Sequence, residues 1–172
     1  MFWNWLVSIL IITFGFVVIR GAPYVPSRTR YIKNAFDKLY KLGKDDLLVD
    51  WGSGDGIVLR LASRKKARAV GYEMNPILVV ISKLFSLHDR RVKVKMADFW
   101  LTKLPDDTTI VYVFITTNHL KSVKKRMQEE SNRLNRPLKL MMYGNVFRDI
   151  KPDNTLEAYS LYTFSPLQTN EA

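Results

Sequence analysis

The sequence contains no cysteine. Disulfides, thiolate zinc sites and a cysteine nucleophile are thereby excluded. The compartment stays open, because a Cys-free chain suits reducing and oxidising surroundings alike. Imidazole is almost as scarce. His88 and His119 are the whole supply, too few to suggest a zinc or non-haem iron centre, so no metal site is expected. Low-complexity linkers and internal repeats are missing from the 172 residues, a length suited to one compact domain with a short appendage. Acidic residues are in the minority, 16 against 27 lysines and arginines, giving a net charge of +11. Such a balance fits nucleic acid, an anionic membrane or a solvated basic surface, and charge runs most often prove to be the last.

Charge is absent altogether from Phe2 to Ile19. That stretch lies at the short end of the roughly 17–25 apolar residues that cross a bilayer as a helix. Trp3 and Trp5 mark one end, where amphipathic rings favour the interface, and Arg20 closes the other. A cleaved signal peptide would need a basic start and a small-residue cleavage site, and Arg20-Gly21-Ala22-Pro23 is a poor one. Residues 1–22 are therefore expected to form an uncleaved transmembrane anchor and residues 23–172 the functional domain. Arg20, Arg28, Arg30 and Lys33 all follow the apolar run. Positive flanks stay inside, so the domain is expected on the cytoplasmic side, or the matrix side of a mitochondrial membrane.

Within the domain, apolar positions Ile32, Ala35, Phe36, Leu39 and Leu42 recur at helical spacing. They predict a helix capped by Ser27 and ended by Gly43. Apolar runs predict strands at 47–51, 67–73, 92–96, 109–115, 138–143 and 158–164. Helices are expected at 57–64, 76–87, with a proline in its first turn, and 119–134. Strands alternating with helices imply an α/β, Rossmann-like, doubly wound and mostly parallel sheet.

The chemistry gathers at three strand ends. The first strand runs into Asp50-Trp51-Gly52-Ser53-Gly54-Asp55-Gly56, a turn that glycine lets bend sharply and approach a ligand. A dinucleotide fingerprint would need glycine where Ile57 stands, and a phosphate loop would end in Gly-Lys-Ser/Thr. Asp55 would repel a pyrophosphate but attract the sulfonium and ammonium of S-adenosylmethionine. Glu73 ends the second strand in Gly71-Tyr72-Glu73-Met74-Asn75-Pro76, where a carboxylate can accept from both ribose hydroxyls. Asp98 follows the third strand in Ala97-Asp98-Phe99-Trp100, placed to take an adenine amine while an aromatic ring packs on the base. Ligands of open α/β sheets bind at this edge. S-adenosylmethionine is the expected cofactor, with Asp50, Gly52, Ser53, Gly54, Asp55, Gly56, Glu73, Met74, Asn75, Asp98 and Phe99 around it.

These three motifs, with the apolar start and Pro23-Tyr24-Val25-Pro26-Ser27, resemble the small membrane-anchored class I protein-lysine methyltransferases. That family includes mitochondrial enzymes acting on adenine nucleotide translocase and the ATP synthase c-subunit, with prokaryotic relatives. The chain departs from the family's pattern at Ile57, where arginine is usual, and at Thr116-Thr117-Asn118. The resemblance implies a methyltransferase acting on a lysine of a membrane-embedded protein. Tyr24, Ser27, Thr116 and Asn118 are its candidate channel residues.

Two other readings stand beside it. A nucleic-acid methyltransferase would use the basic charge. Yet enzymes of base amino groups commonly carry an Asp/Asn-Pro-Pro-aromatic stretch after the fourth strand, where this chain reads Ile115-Thr116-Thr117-Asn118-His119. Arg64-Lys65-Lys66 and Arg90-Arg91 fall in helix-to-strand loops at the opposite edge, so nucleic acid is not the expected partner. The other reading is a non-catalytic cofactor-binding scaffold, which turnover would exclude. The element order also puts Ser27 near the ligand edge. The mouth is thereby expected close to the bilayer, with the basic loops in solvent.

Overall fold

The computed structural model describes residues 29–167, together with 3–5 and 7–8 near the start. Tyr24, Ser27 and most of the expected anchor lie outside the described residues. Among those described, no helix is long and apolar enough to cross a membrane.

Seven strands form one sheet in the order β3-β2-β1-β4-β5-β7-β6. They are β1 (Leu47–Trp51), β2 (Arg68–Glu73), β3 (Val92–Met96), β4 (Ile110–Phe114), β5 (Leu138–Tyr143), β6 (Asn154–Leu156) and β7 (Tyr159–Phe164). The first five pair in parallel. β7 runs antiparallel between β5 and β6, so the sheet is mixed at one end. β6 was not expected from the sequence, because three residues carry too little periodicity to register.

Alternation of side chains in β1 separates two cores. Leu47, Val49 and Trp51 join Val70, Val111, Leu140 and Met142 on one face. Leu48 joins Ala69, Ile110, Tyr112 and Met141 on the other. Five consecutive buried residues mark β1 as an interior strand, the middle of the five parallel ones, as the apolar run Leu47-Leu48-Val49 requires of a parallel strand covered on both sides. Right-handed crossovers place α2 (Ile57–Arg64) and α3 (Pro76–Phe85) on one face and α4 (Leu120–Leu134) on the other. α2 buries Val58, Leu59, Leu61 and Ala62, each large aliphatic side chain contributing about 1.5–3 kcal/mol.

The first described helix, α1 (Thr29–Asn34), passes into a π-helical turn over Ala35–Leu39, short of the expected end at Leu42. The ladder widens there, with Tyr40 N donating to Ala35 O and Leu42 N to Phe36 O. Asp46 draws the chain away from the helix. Its carboxylate accepts from Tyr40 Oη at 2.7 Å, Gly43 N at 2.8 Å and Thr109 Oγ1 at 2.8 Å. Side-chain bonding to backbone and neighbours here outcompetes another helical turn.

No helix fills the β3–β4 connection, residues 97–109. Arginines of α4 and its end hold it instead. Arg126 donates to Thr102 O at 2.8 Å, Arg133 to Leu104 O at 2.6 Å and Asp106 at 2.7 Å, and Arg136 to the carbonyls of Asp106 and Thr108 at 2.6 Å. Glu130, 2% exposed, pairs with Arg126 at 3.0 Å and Arg133 at 2.7 Å. Part of the basic excess is thus structural.

Candidate cofactor site

β1 delivers Asp50 and Trp51 to the C-terminal edge of the sheet, and the chain then turns sharply. Gly52 and Ser53 keep donating to Tyr72 O, at 2.9 and 3.1 Å, so the turn hugs the end of β2. Gly54 N donates to Glu73 Oε2 at 2.9 Å, and Asn75 N donates to Glu73 Oε1 at 2.8 Å. Ala97 N, beside Asp98, donates to Glu73 O at 3.0 Å. Glu73 therefore ties together all three elements that the sequence singled out. Its carboxylate, 7% exposed, keeps further lone pairs for a ligand.

Each remaining candidate has a definite place. Asp55 accepts from Ile57 N at 3.1 Å and pairs with Arg60 at 3.3 Å, which fixes the start of α2. Asn75 caps α3 by accepting from Ile77 N at 2.9 Å and Leu78 N at 3.4 Å. Asp98 accepts from Trp100 N at 2.9 Å. Phe99 is buried and stacks on Trp51, with centroids 5.5 Å apart and planes 12° apart. It forms the floor below the edge, with Trp100 beside it at 4.6 Å. Met74 is half-buried at the exit of β2.

This edge fits a small cationic and polar ligand on structural grounds. Gly52 has φ +84° and nothing within 4 Å of where a Cβ would stand, so the backbone faces open space. Ser53 Oγ and Asn75 Nδ2 are buried, with no hydrogen-bond partner among the described residues. An unpaired buried polar atom is costly, so atoms of this kind are normally satisfied by water or ligand.

Asp50 supplies the electrostatics. It is 2% exposed, and burial pushes its carboxyl well above the ordinary range, helped by the charges of Glu73 and Asp55. The folded state thus favours the neutral acid. The stability it contributes is present below the unfolded pKa and is lost as pH rises through the folded one. A bound cation favours the carboxylate, so affinity should rise with pH through the range in which the empty site's carboxyl titrates, and loading there should release a proton. Asp50→Asn is expected to stabilise the empty domain at neutral pH, weaken cation binding and abolish the proton release. Calorimetry in two buffers of different ionisation enthalpy checks this, and undiminished proton release in the variant would remove Asp50 from the site.

Of the channel candidates, Thr116 and Asn118 follow β4 directly. Thr116 is half-buried and accepts from His119 N at 3.1 Å, opening the 3₁₀ turn Thr117–His119, while Asn118 is exposed. Beside them stands an aromatic wall that was not expected from the sequence. Phe114 and Tyr143 are register partners at the ends of β4 and β5, both half-buried, with rings 5.7 Å apart. Tyr159 lies 4.9 Å behind Tyr143, and burial pushes its hydroxyl up to about 12. Asn145 Nδ2 donates to Ile115 O at 2.5 Å, pinning the loop after β5 to the loop after β4. No sequence signal pairs these residues, because the β4–β5 register is a tertiary fact.

Strand order, the antiparallel β7 and the glycine-and-acid edge define the fold of class I methyltransferases. It is shared with an RNA methyltransferase from Salinibacter ruber solved with S-adenosyl-L-homocysteine, at TM-score 0.73 and 21% identity over 86% of this chain and 98% of that one. A geranyl diphosphate methyltransferase solved with its S-adenosylmethionine cofactor gives TM-score 0.55 at 16% identity, over 66% of this chain and 48% of that one. Among curated proteins, the chain is 30% identical to the ATP synthase c-subunit lysine N-methyltransferase of Xenopus laevis, over 63% of this chain and 48% of that protein. It is 32% identical to the adenine nucleotide translocase lysine N-methyltransferase of Mus musculus, again over 63% of this chain and 48% of that protein. The chain spans about half the length of these curated relatives. No protein-family model matches it.

Proposed function

We propose that the chain is an S-adenosylmethionine-dependent protein-lysine N-methyltransferase whose substrate is a membrane-associated protein. The observation that carries the cofactor assignment is the Glu73 carboxylate, which joins the Gly54 turn to the start of α3 at the ligand edge. The lysine assignment is supported by the two groups of curated relatives, which are named for lysine methylation. The solved RNA methyltransferase shares the fold at 21% identity, and its substrate does not carry over.

S-adenosylmethionine supplies an electrophilic methyl on a sulfonium. The protein must hold that group with Asp50, Gly52, Ser53, Gly54, Glu73 and Asn75 and bring a neutral amine into line with it. Neutralising a lysine of ordinary pKa ~10.4 at pH 7 costs roughly 4.6 kcal/mol. A dry channel beside a cation lowers that cost. The wall of Phe114 and Tyr143 provides apolar, uncharged surface at the β4–β5 edge, so no strong general base is needed, and alignment of the reacting atoms does most of the work. The charge-free run Phe2–Ile19 supports a bilayer anchor, and the basic residues after it support a domain on the cytoplasmic or matrix side.

The test incubates the full chain with tritiated S-adenosylmethionine and native membranes, with enzyme alone as the control for self-labelling. Complete hydrolysis of the labelled protein should yield methyl-lysine. Phe114→Ala should raise KM for the protein substrate several-fold while leaving S-adenosylhomocysteine binding unchanged. Label sensitive to ribonuclease would instead establish nucleic acid as the substrate, and absence of turnover would establish a binding scaffold.

A further inference from the structure

Helix α3 leaves much of its apolar surface outside. Its buried residues are Val79 and Ser82, and the serine just beyond its end, Ser86, is buried too. Leu78 and Ile81 are half-buried, while the remaining large apolar side chains face outward: Ile77 is 40% exposed, Val80 56%, Leu84 64% and Phe85 66%, followed by Leu87 at 70%. Ile77, Val80, Leu84 and Leu87 recur at i, i+3, i+7 and i+10, which is one stripe of a helix. The small residues explain this exposure. Ser82 Oγ sits 2.1 Å from where a Cβ of Gly56 would lie, so α3 approaches the start of α2 through its polar side and its bulk is left outside.

The border of the stripe is cationic. Residues 76–91 carry Lys83, Arg90 and Arg91 against a single acid, Asp89. Arg64 adds to the border from the end of α2, and with Phe85, Leu87, His88, Arg90 and Arg91 it lines one open cleft. Arg60 stands over the Phe85 ring at 5.1 Å. The carboxylate of Asp89 is directed back to the chain, accepting from Arg91 N at 3.0 Å.

We infer that the exposed face of α3 is a membrane-docking surface for an anionic bilayer. The apolar stripe enters the boundary of headgroup and acyl chain, and Arg64, Lys83, Arg90 and Arg91 meet lipid phosphates. Charge complementarity selects this occupant. A second copy of the chain would bring a like-charged border against this one, in a protein of net charge +11. The docked domain lies on its side, with the N-terminal end of α3 beside the cofactor edge and the basic loops among headgroups rather than in solvent. The surface is independent of methyl transfer and of the anchor.

The chain has no native cysteine, so single probes are available. Val80→Cys and Lys125→Cys, the latter on α4 with a side chain 79% exposed, are labelled with an environment-sensitive fluorophore in the full chain and matched to the unmodified chain by thermal unfolding. Both are mixed with vesicles containing phosphatidylserine, or phosphatidylcholine alone, each carrying nitroxide-labelled lipid. Quenching at Val80 should exceed that at Lys125 several-fold on anionic vesicles. Arg90→Ala and Arg91→Ala should each lower the docked-to-undocked ratio about fivefold. Quenching at Val80 no greater than at Lys125 overturns the inference, even if the chain stays bound through its N-terminal segment. So does strong quenching at Val80 that ignores lipid charge, or photo-crosslinking from position 80 into protein rather than lipid in native membranes. Failure of methyl transfer would leave all of these readings intact.

Discussion

Glu73→Ala is expected to cost between about tenfold and a hundredfold in affinity for S-adenosylhomocysteine, the range for losing one charge-assisted hydrogen bond of ~1.5–3 kcal/mol. The structure adds a second effect. Gly54 N and Asn75 N both donate to this carboxylate at a site 7% exposed. Alanine leaves both amides without their acceptor, at ~1–3 kcal/mol for each that water does not reach. The empty domain should therefore lose stability as well, and the glycine turn should loosen from α3. Glu73→Gln separates the two contributions. Its amide keeps one acceptor oxygen and turns the other position into a donor facing a donor, so its affinity should fall between wild type and alanine. Calorimetry on all three, read beside their thermal midpoints, makes the measurement. Wild-type affinity in Glu73→Ala would show that the ligand does not sit at the β1–β2 edge.

Gly56→Ala should lower the melting temperature by roughly 6–15 °C, for a loss of about 2–5 kcal/mol in a domain of this size. Gly56 caps α2 with φ +78°, a left-handed conformation that costs an L-residue roughly 1–2 kcal/mol. Its added Cβ would also stand 2.1 Å from Ser82 Oγ and 3.2 Å from Ser82 Cβ. Ser82 is fully buried, so its side chain must shift within packed surroundings, and a further overpacking cost of ~1–3 kcal/mol applies. Ser82→Gly in the same chain should recover the steric part and leave the conformational part. Gly43→Ala is the control. Nothing lies within 4 Å of its Cβ position and its φ is not positive, so that change should be neutral or stabilising by up to about 1 kcal/mol. Equal melting temperatures for the two alanine variants would mean that α2 and α3 do not meet at Gly56.

The two expectations differ in how far the sequence could carry them. Glu73 was legible as a ligand residue because an acid at the end of a second strand, after a glycine turn, has one physical use in such a sheet. That its carboxylate also ties the turn to Asn75 was not legible, since the bond spans 19 residues to Gly54. Asn75 was legible only as part of the cofactor site, and its capping of α3 emerges once the helix start is seen. The α1 helix ran short because Asp46 recruits Tyr40 and Thr109, the latter just before a distant strand.

By itself the sequence determined the local elements and the ligand edge. Helical and alternating periodicities, glycine where the chain turns and proline at the start of α3 act over a few residues. The strands Leu47–Trp51, Val92–Met96 and Leu138–Tyr143 and the helix Ile57–Arg64 accordingly lie where the patterning puts them. Only the tertiary structure decided what depends on pairing across the chain. The insertion of β7 between β5 and β6, the facing of Phe114 and Tyr143, and the arginine clamps over residues 97–109 each join partners whose separation no local pattern encodes. The outward face of α3 belongs with them. An apolar helix reads from sequence as one that buries its large side chains, and close contact between Gly56 and Ser82 leaves Ile77, Val80, Leu84 and Phe85 outside.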